Sequence, residues 1–330
     1  IGNWRGRGIA NSAVSVLEGL KSYDSNKLIY TKGVDVYYGE TNFFTRVDIN
    51  YNDRSGFNRA KAVAKSSDVV VMVLGEEGYQ TGEGRSRTNL LLPGLQQELL
   101  EEVYKVNKNV VLVLVNGRPL NISWADENIP AIVEAWQLGS QAGNAIAQVL
   151  YGDYNPSGKL TMSFPRNVGQ APIYYNYKNT GRPSKSQKTV TTSAYSDIEN
   201  SPIYPFGYGL SYTSFNYSDL TLSLEKMNNK QSIIASVTLT NSGKYKGKEV
   251  VQLYIRDLYG SLSRPLKELK GFEMVELEPG ESKTVDFIID NSLLKYYTVN
   301  KKWESELGDF YVYIGGNSDV DSFKKFELIN

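Results

Sequence analysis

The sequence predicts an α/β domain with a mostly parallel sheet followed by an all-β domain, and three observations predict it. The runs at 68–74 and 109–115 are almost wholly apolar and rich in valine, as strands covered on both faces of a parallel sheet require. Amphipathic segments alternate with such runs up to about residue 165, the ordering of βα units. From Phe215 onward the helical period disappears and short alternating runs replace it. A chain of 330 residues also exceeds what one hydrophobic core usually serves, so division into two domains is expected.

Taken in order, 13–20 reads as an amphipathic helix and 28–30 as a short strand. A helix at 59–66 precedes the strand at 68–74. Pro93 and Gly94 introduce a helix at 95–106, which leads into the strand at 109–115. One more strand is expected at 131–136, a helix at 143–150 and a small outer strand at 160–162. The first domain is therefore placed at 1–165. Between 166 and 213 regularity stops and tyrosine, proline, serine and lysine dominate, with Ser184, Lys185 and Ser186 typical of its character. A segment this long between domains is expected to be a functional or interdomain loop, and its tyrosines imply that it packs against something. The lysines across 178–188 read as a solvated loop. In 214–330, runs such as 233–240 and 250–255 are antiparallel strands, punctuated by turns at Asn241 to Gly243, Pro279 with Gly280, and Gly315 with Gly316. That spacing suits a small β-sandwich. No internal repeat is evident.

Composition narrows the chemistry. Thirty-six basic and thirty-six acidic residues cancel, so nothing favours nucleic acid or an anionic membrane surface as a partner. There is no run of eighteen apolar residues for a membrane-spanning helix, and the first residues lack the plan of a signal peptide. Cysteine and histidine are both absent, which removes thiolate nucleophiles, disulfides and the commonest zinc ligands and general base. Catalysis by this chain must use carboxylates, lysine, tyrosine or hydroxyls.

The loop after the strand at 68–74 crowds Glu76, Glu77, Glu83, Arg85 and Arg87 among glycines, at the strand end where open α/β sheets collect their ligands. A pair of carboxyl groups hydrolyses an acetal without metal or histidine, one acting as general acid and base and the other as nucleophile or water activator. Glu83 lies between Gly82 and Gly84, which let the backbone bend sharply, and near Arg85 and Arg87, which can tune it or hold substrate. Glu76 and Glu77 are its rivals, and a solvated polar loop is the competing reading. Gly82 to Gly84 makes only a weak phosphate cradle, since Walker and dinucleotide spacings are missing. Arg118, in the turn after the strand at 109–115, can face the same cleft or simply complete the turn. Trp124 and Trp136 have faces suited to sugars, but lone tryptophans are more often core residues.

The segments Thr81 to Leu90, Leu92 to Gln96, Val115 to Pro119 and Gly152 to Leu160 together resemble glycoside hydrolase family 3, of the β-glucosidase type. The resemblance continues through Asn179 to Pro183, Tyr204 to Tyr212 and Arg264 to Phe272, so it covers nearly the whole chain in order. It implies a three-part enzyme with an N-terminal β/α barrel carrying an aspartate nucleophile, an α/β sandwich supplying the acid/base loop, and a fibronectin type III-like β-sandwich. This chain is expected to hold the last two parts. It has no Ser-Asp-Trp, the family's nucleophile motif.

By the same resemblance, the acid/base glutamate maps onto Glu83, with Glu76 and Glu77 as rivals. Arg85, Arg87, Tyr174 and Tyr175 are candidates for shaping outer substrate subsites. The expected activity is retaining hydrolysis of terminal β-D-glycosidic bonds in β-linked glucosides or oligosaccharides. No metal or organic cofactor is required, and the chain alone is expected to be nearly inert. The family's sandwich normally opens on an apolar strand, whereas this chain begins later, at Ile1, Gly2, Asn3 and Trp4, so another polypeptide or a nicked-off N-terminal piece is expected to complete the fold. Periplasmic or extracellular location follows from the resemblance. The competing functions are a non-catalytic carbohydrate-binding or assembly module and, on fold class alone, a flavodoxin-like nucleotide binder.

Overall fold

The computed structural model describes residues 9, 12–183 and 189–330. The opening residues Ile1, Gly2, Asn3 and Trp4, and Ser184, Lys185 and Ser186 of the tyrosine-rich stretch, lie outside the described residues. Two compact units result. One takes the described residues up to Tyr154 together with Pro165–Ala171, and the other takes Asn155–Phe164 together with Pro172–Asn330. No helix among the described residues is long and apolar enough to cross a membrane.

In the first unit, Ser15 caps helix α1 (Val16–Asp24) through a reciprocal box with Glu18, which starts the helix three residues after the expected position. Two short strands, β1 (Tyr37–Tyr38) and β2 (Asp48–Ile49), pair with each other. They are followed by α2 (Phe57–Lys65), β3 (Val70–Gly75), α3 (Gln96–Val106), β4 (Val110–Val115), α4 (Ser123–Asn128), β5 (Ala131–Glu134) and α5 (Ala142–Tyr151). The sheet is parallel with order β3-β4-β5. Pleating sends alternate side chains to opposite faces. Val71, Val113, Val115 and Val133 meet Val16 of α1 and Ile146 and Leu150 of α5. Met72, Leu74, Leu112 and Leu114 fall on the other face and are buried, as are Leu99, Leu100 and Val103 of α3. The β4 run is thus covered on both faces, whereas on β3 Val73 is 43% exposed.

Three expectations are corrected. No strand forms at 28–30, where Ile29 and Tyr30 are exposed; an apolar triplet without a neighbouring strand has no ladder to join. The strand begun at Ala131 stops at Glu134 because Trp136 adopts a left-handed backbone, φ 47°, which breaks a ladder. No strand forms at 160–162 either. Leu160 exchanges two backbone hydrogen bonds with Gly207 and Tyr208, but Pro205 and the left-handed Gly207 interrupt the pairing, which resumes only as a single bridge between Phe164 and Tyr204. Helix α4, which carries Trp124, was not foreseen; Trp124 packs edge-on against Tyr104.

The second unit is a sandwich of β6 (Phe215–Tyr217), β7 (Thr221–Leu222), β8 (Lys226–Met227), β9 (Ser232–Asn241), β10 (Gly247–Asp257), β11 (Glu268–Leu277), β12 (Ser282–Asp290), a short α6 (Asn291–Leu294), β13 (Tyr296–Tyr297), β14 (Trp303–Glu304), β15 (Gly308–Gly315) and β16 (Lys324–Leu328). One sheet has order β11-β10-β15-β16-β8 and the other β12-β9-β6, with β7 also on β9. Its core includes Val237, Leu239, Val251, Leu253, Val285, Phe310, Val312 and Phe326. On β10 the alternate residues Gln252 and Tyr254 are buried too. The Gln252 carboxamide donates to the Gly207 and Gly316 carbonyls and accepts from the Tyr254 hydroxyl, while Tyr175 sits edge-on to Tyr254. The tyrosine-rich stretch therefore supplies a layer over β10.

Helices α1 and α5 approach so closely that a Cβ on Gly19 would lie 2.1 Å from the Gly143 carbonyl oxygen, and one on Gly143 would lie 2.0 Å from that of Ser15. Gly143→Ala is expected to push the helices apart and lower the stability of the α/β unit by about 1–3 kcal/mol. Urea unfolding followed by circular dichroism reads this, and an unchanged midpoint would contradict the packing described.

Candidate active site

Strand β3 ends at Gly75, whose positive φ of 146° and whose proximity to the Val115 backbone leave no room for a side chain. Both polar groups of its backbone are held by one carboxamide. Gln96 Oε1 accepts from Gly75 N–H at 2.8 Å, and Gln96 Nε2 donates to the Gly75 carbonyl at 2.7 Å. The turn out of the sheet is therefore locked before the loop begins.

Glu76 follows, with its side chain 0% exposed. A buried carboxylate is tolerable only with full compensation, and here two guanidinium groups and a backbone amide provide it. Arg87 Nη1 donates to Oε1 at 2.6 Å, Arg118 Nε lies 3.0 Å from the same oxygen, and Gly117 N–H donates to Oε2 at 3.2 Å. Each arginine also donates to the loop itself. Arg87 reaches the Leu91 carbonyl, and Arg118 reaches those of Gln80 and Arg85. Glu76 thus anchors the loop from beneath.

Glu77 has a different task. Its carboxylate accepts from Tyr79 N–H at 2.6 Å and from the Thr41 hydroxyl at 3.2 Å, and its own N–H donates to Gln80 Oε1. It caps the single 3₁₀ turn Gly78–Gln80. Glu83 sits beyond that turn, exposed, between Gly82 at φ 106° and Gly84 at φ 69°. Arg85 N–H bonds the Gly82 carbonyl at 3.2 Å, so Glu83 occupies the tip of a tight turn that only glycine-like backbones adopt without strain. Among the described residues its carboxylate makes no hydrogen bond or ion pair. Arg85 bonds the Phe43 carbonyl and lies over the Phe43 ring at 5.6 Å.

Of the predicted site residues, the structure brings Glu76, Glu77, Glu83, Arg85 and Arg87 into one loop, with Arg118 reaching in from the turn after β4. Tyr174 and Tyr175 belong to the second unit. Tyr174 is exposed; the Tyr175 ring stacks on Phe206 at 4.3 Å and its hydroxyl accepts from Leu269 N–H. Sequence reasoning missed Glu134, at the end of β5. Its carboxyl accepts from Trp136 N–H at 3.0 Å and Asn116 Nδ2 at 3.3 Å. Burial pushes its pKa up to about 7, with the Glu76 charge acting in the same direction and these hydrogen bonds opposing it. A glutamate ending an otherwise apolar strand was the available signal.

Residues 1–212 match the glycosyl hydrolase family 3 C-terminal domain, and residues 249–318 match a fibronectin type III-like domain. The chain is 45% identical, over its whole length, to a protein named periplasmic beta-glucosidase from Salmonella typhimurium, and it spans 44% of that relative. It is 42% identical to a beta-xylosidase from Formosa agariphila, with 96% of this chain and 41% of that protein covered. A beta-glucosidase from Listeria innocua, crystallised in complex with glucose, superposes with a TM-score of 0.89 at 35% identity, covering 100% of this chain and 44% of that one. The chain thus spans less than half the length of these relatives.

Two outcomes follow from the site geometry. Glu76→Gln leaves two partly buried guanidinium groups without their anion and should cost about 3–5 kcal/mol, read by urea denaturation; a loss below about 1 kcal/mol would show that the ion triad does not hold the loop. Because the folded-state pKa of Glu134 is raised from 4.5 to about 7, the folded protein keeps a proton that the unfolded chain has lost. Its contribution is therefore complete below pH 4.5, declines as pH rises toward 7 and is flat above. Glu134→Gln should remove that component from a stability-against-pH profile.

Proposed function

The chain belongs to glycoside hydrolase family 3, and from that membership we propose that it supplies the acid/base half of a retaining β-glycosidase acting on terminal β-linked glucosides or oligosaccharides. The observation that carries the reading is Glu83, an exposed carboxylate at the tip of a turn whose base is tied to the buried Glu76. General acid/base work needs a carboxyl that reaches solvent and substrate yet is held in place. Glu76 and Glu77 fit less well, because the first is enclosed by Arg87 and Arg118 and the second caps its own turn. The names of the Salmonella and Formosa relatives support glycosides as substrates.

In the first step a nucleophilic carboxylate attacks the anomeric carbon as the glycosidic C–O bond breaks, and the Glu83 proton passes to the departing oxygen. In the second, water attacks the same carbon, Glu83 takes its proton, and the bond to the nucleophile breaks to release the sugar. The two carboxyl groups must stand about 5–5.5 Å apart across the scissile bond. The nucleophile would come from a barrel outside the 330 residues, whether preceding them in the same protein or on a separate chain. The outer edge of β3 is consistent with a further partner segment, since β3 ends the sheet and Val73 on it is 43% exposed. An unpaired edge of this kind is suited to accept another strand. Action in the periplasm or outside the cell is supported by the name of the Salmonella relative.

The test compares the barrel-completed enzyme with its Glu83→Gln variant on aryl β-glucosides. The variant should lose about 10²–10⁴-fold in kcat with poor leaving groups and less with activated ones, with partial rescue by azide. The chain by itself should show no turnover. Full activity of Glu83→Gln would remove Glu83 from the mechanism.

A further inference from the structure

Beyond the Glu83 turn, the first unit contains a cavity of about 400 Å³ lined by Thr88, Asn89, Leu90, Leu91, Asn121, Asn167 and Val168. The volume is in the range of small-ligand sites. Three separate chain segments build it and are stitched together. Asn121 N–H donates to the Leu90 carbonyl at 2.8 Å, Arg87 holds the Leu91 carbonyl, and the Ser123 hydroxyl donates to the Arg166 carbonyl at 2.9 Å. The cavity is therefore formed before any ligand arrives.

Its polar lining has one character. Asn89 Oδ1 accepts from Leu91 N–H, Asn121 Oδ1 from Ser123 N–H, and Asn167 Oδ1 from Gly169 N–H. Each carboxamide thus commits its oxygen to the protein. Among the described residues the three Nδ2 groups have no acceptor, so six N–H donors remain for a ligand. No lining residue carries a charge, which leaves nothing to compensate an ionic ligand. Leu90, Leu91 and Val168 supply apolar wall.

We propose that this cavity binds a neutral saccharide unit of the substrate, remote from the bond being cleaved. A sugar ring has oxygen acceptors for the carboxamide donors and C–H faces for the leucine and valine walls, and it carries no charge. The choice of saccharide rests on the glycosidase reading above. The cavity begins five residues past Glu83 and is held to it through Arg87, whose guanidinium serves both the buried Glu76 and the Leu91 carbonyl. It would lengthen the enzyme's grip on an oligosaccharide without taking part in bond cleavage.

The test uses the full chain carrying ¹³C-labelled leucine and valine methyl groups, titrated with cellobiose and with laminaribiose at millimolar concentrations. The Leu90, Leu91 and Val168 methyl signals should shift and saturate, and Glu83→Gln should leave those shifts unchanged. Val168→Trp, at an exposed wall position, should weaken binding at least tenfold by filling the space. Asn167→Ala should weaken it about three- to tenfold, the worth of one neutral hydrogen bond. Methyl signals that stay still with both sugars, or that shift with equal affinity in Val168→Trp, would overturn the proposal. The glycosidase reading is judged separately by turnover of Glu83→Gln in the completed enzyme, so shifted methyl signals alongside full Glu83→Gln activity would sustain the cavity and reject that reading.

Discussion

Two guanidinium groups closing on one buried carboxylate organise the loop at the end of the parallel sheet in the α/β unit. Arg87 and Arg118 come from different connections, one following β3 and the other following β4, and Glu76 is where they meet. Desolvating these charges is costly, and the arrangement is reinforced where Arg87 also donates to the Leu91 carbonyl and Arg118 to those of Gln80 and Arg85. The ion triad therefore specifies the conformation of a glycine-rich segment that has little intrinsic preference of its own. Without it the Gly82–Arg85 turn would have no fixed base.

This division of labour accounts for three nearby glutamates with three fates. One is buried and paired, one caps a turn, and one is left facing solvent. The loop is held at its root and open at its tip, and the carboxylates are distributed accordingly. The partly buried Glu134 adds a proton-sensitive group, joined through Asn116 to the turn that carries Arg118. The β-sandwich unit uses the same principle by itself: Lys159, Glu249 and the Tyr217 hydroxyl form a buried set in which Glu249 accepts from both. Burial raises the Tyr217 pKa, with the Glu249 charge adding to it, so that phenol stays a donor.

Much of the architecture was legible because it rests on periodicity. The strands at 70–75 and 110–115 follow from unbroken valine-rich runs, and α2, α3 and α5 from apolar residues at helical spacing. The errors lie where local pattern and tertiary pairing disagree. Leu28 to Tyr30 has strand composition and no partner strand; Leu160 to Met162 has a partner segment interrupted by Pro205 and Gly207. At the site, the loop was visible from its carboxylates and glycines, and the family resemblance singled out Glu83. The roles of Gln96 and Glu134 were not visible, because their partners Gly75 and Asn116 are close only after the sheet has formed.

By itself, the sequence determined the two fold classes, the strand-end location of the carboxylate-rich loop and the exclusion of histidine and cysteine chemistry. Those depend on residue type and on spacing along the chain, which sequence carries directly. Only the tertiary structure decided which glutamate is buried, which caps and which is free, and that Arg87 and Arg118 share one anion. Those outcomes depend on desolvation and on the approach of groups as much as 42 residues apart in the chain. Burial and pairing are properties of the folded arrangement, so three glutamates alike in type and close in sequence acquire different chemistry only when the chain closes around them.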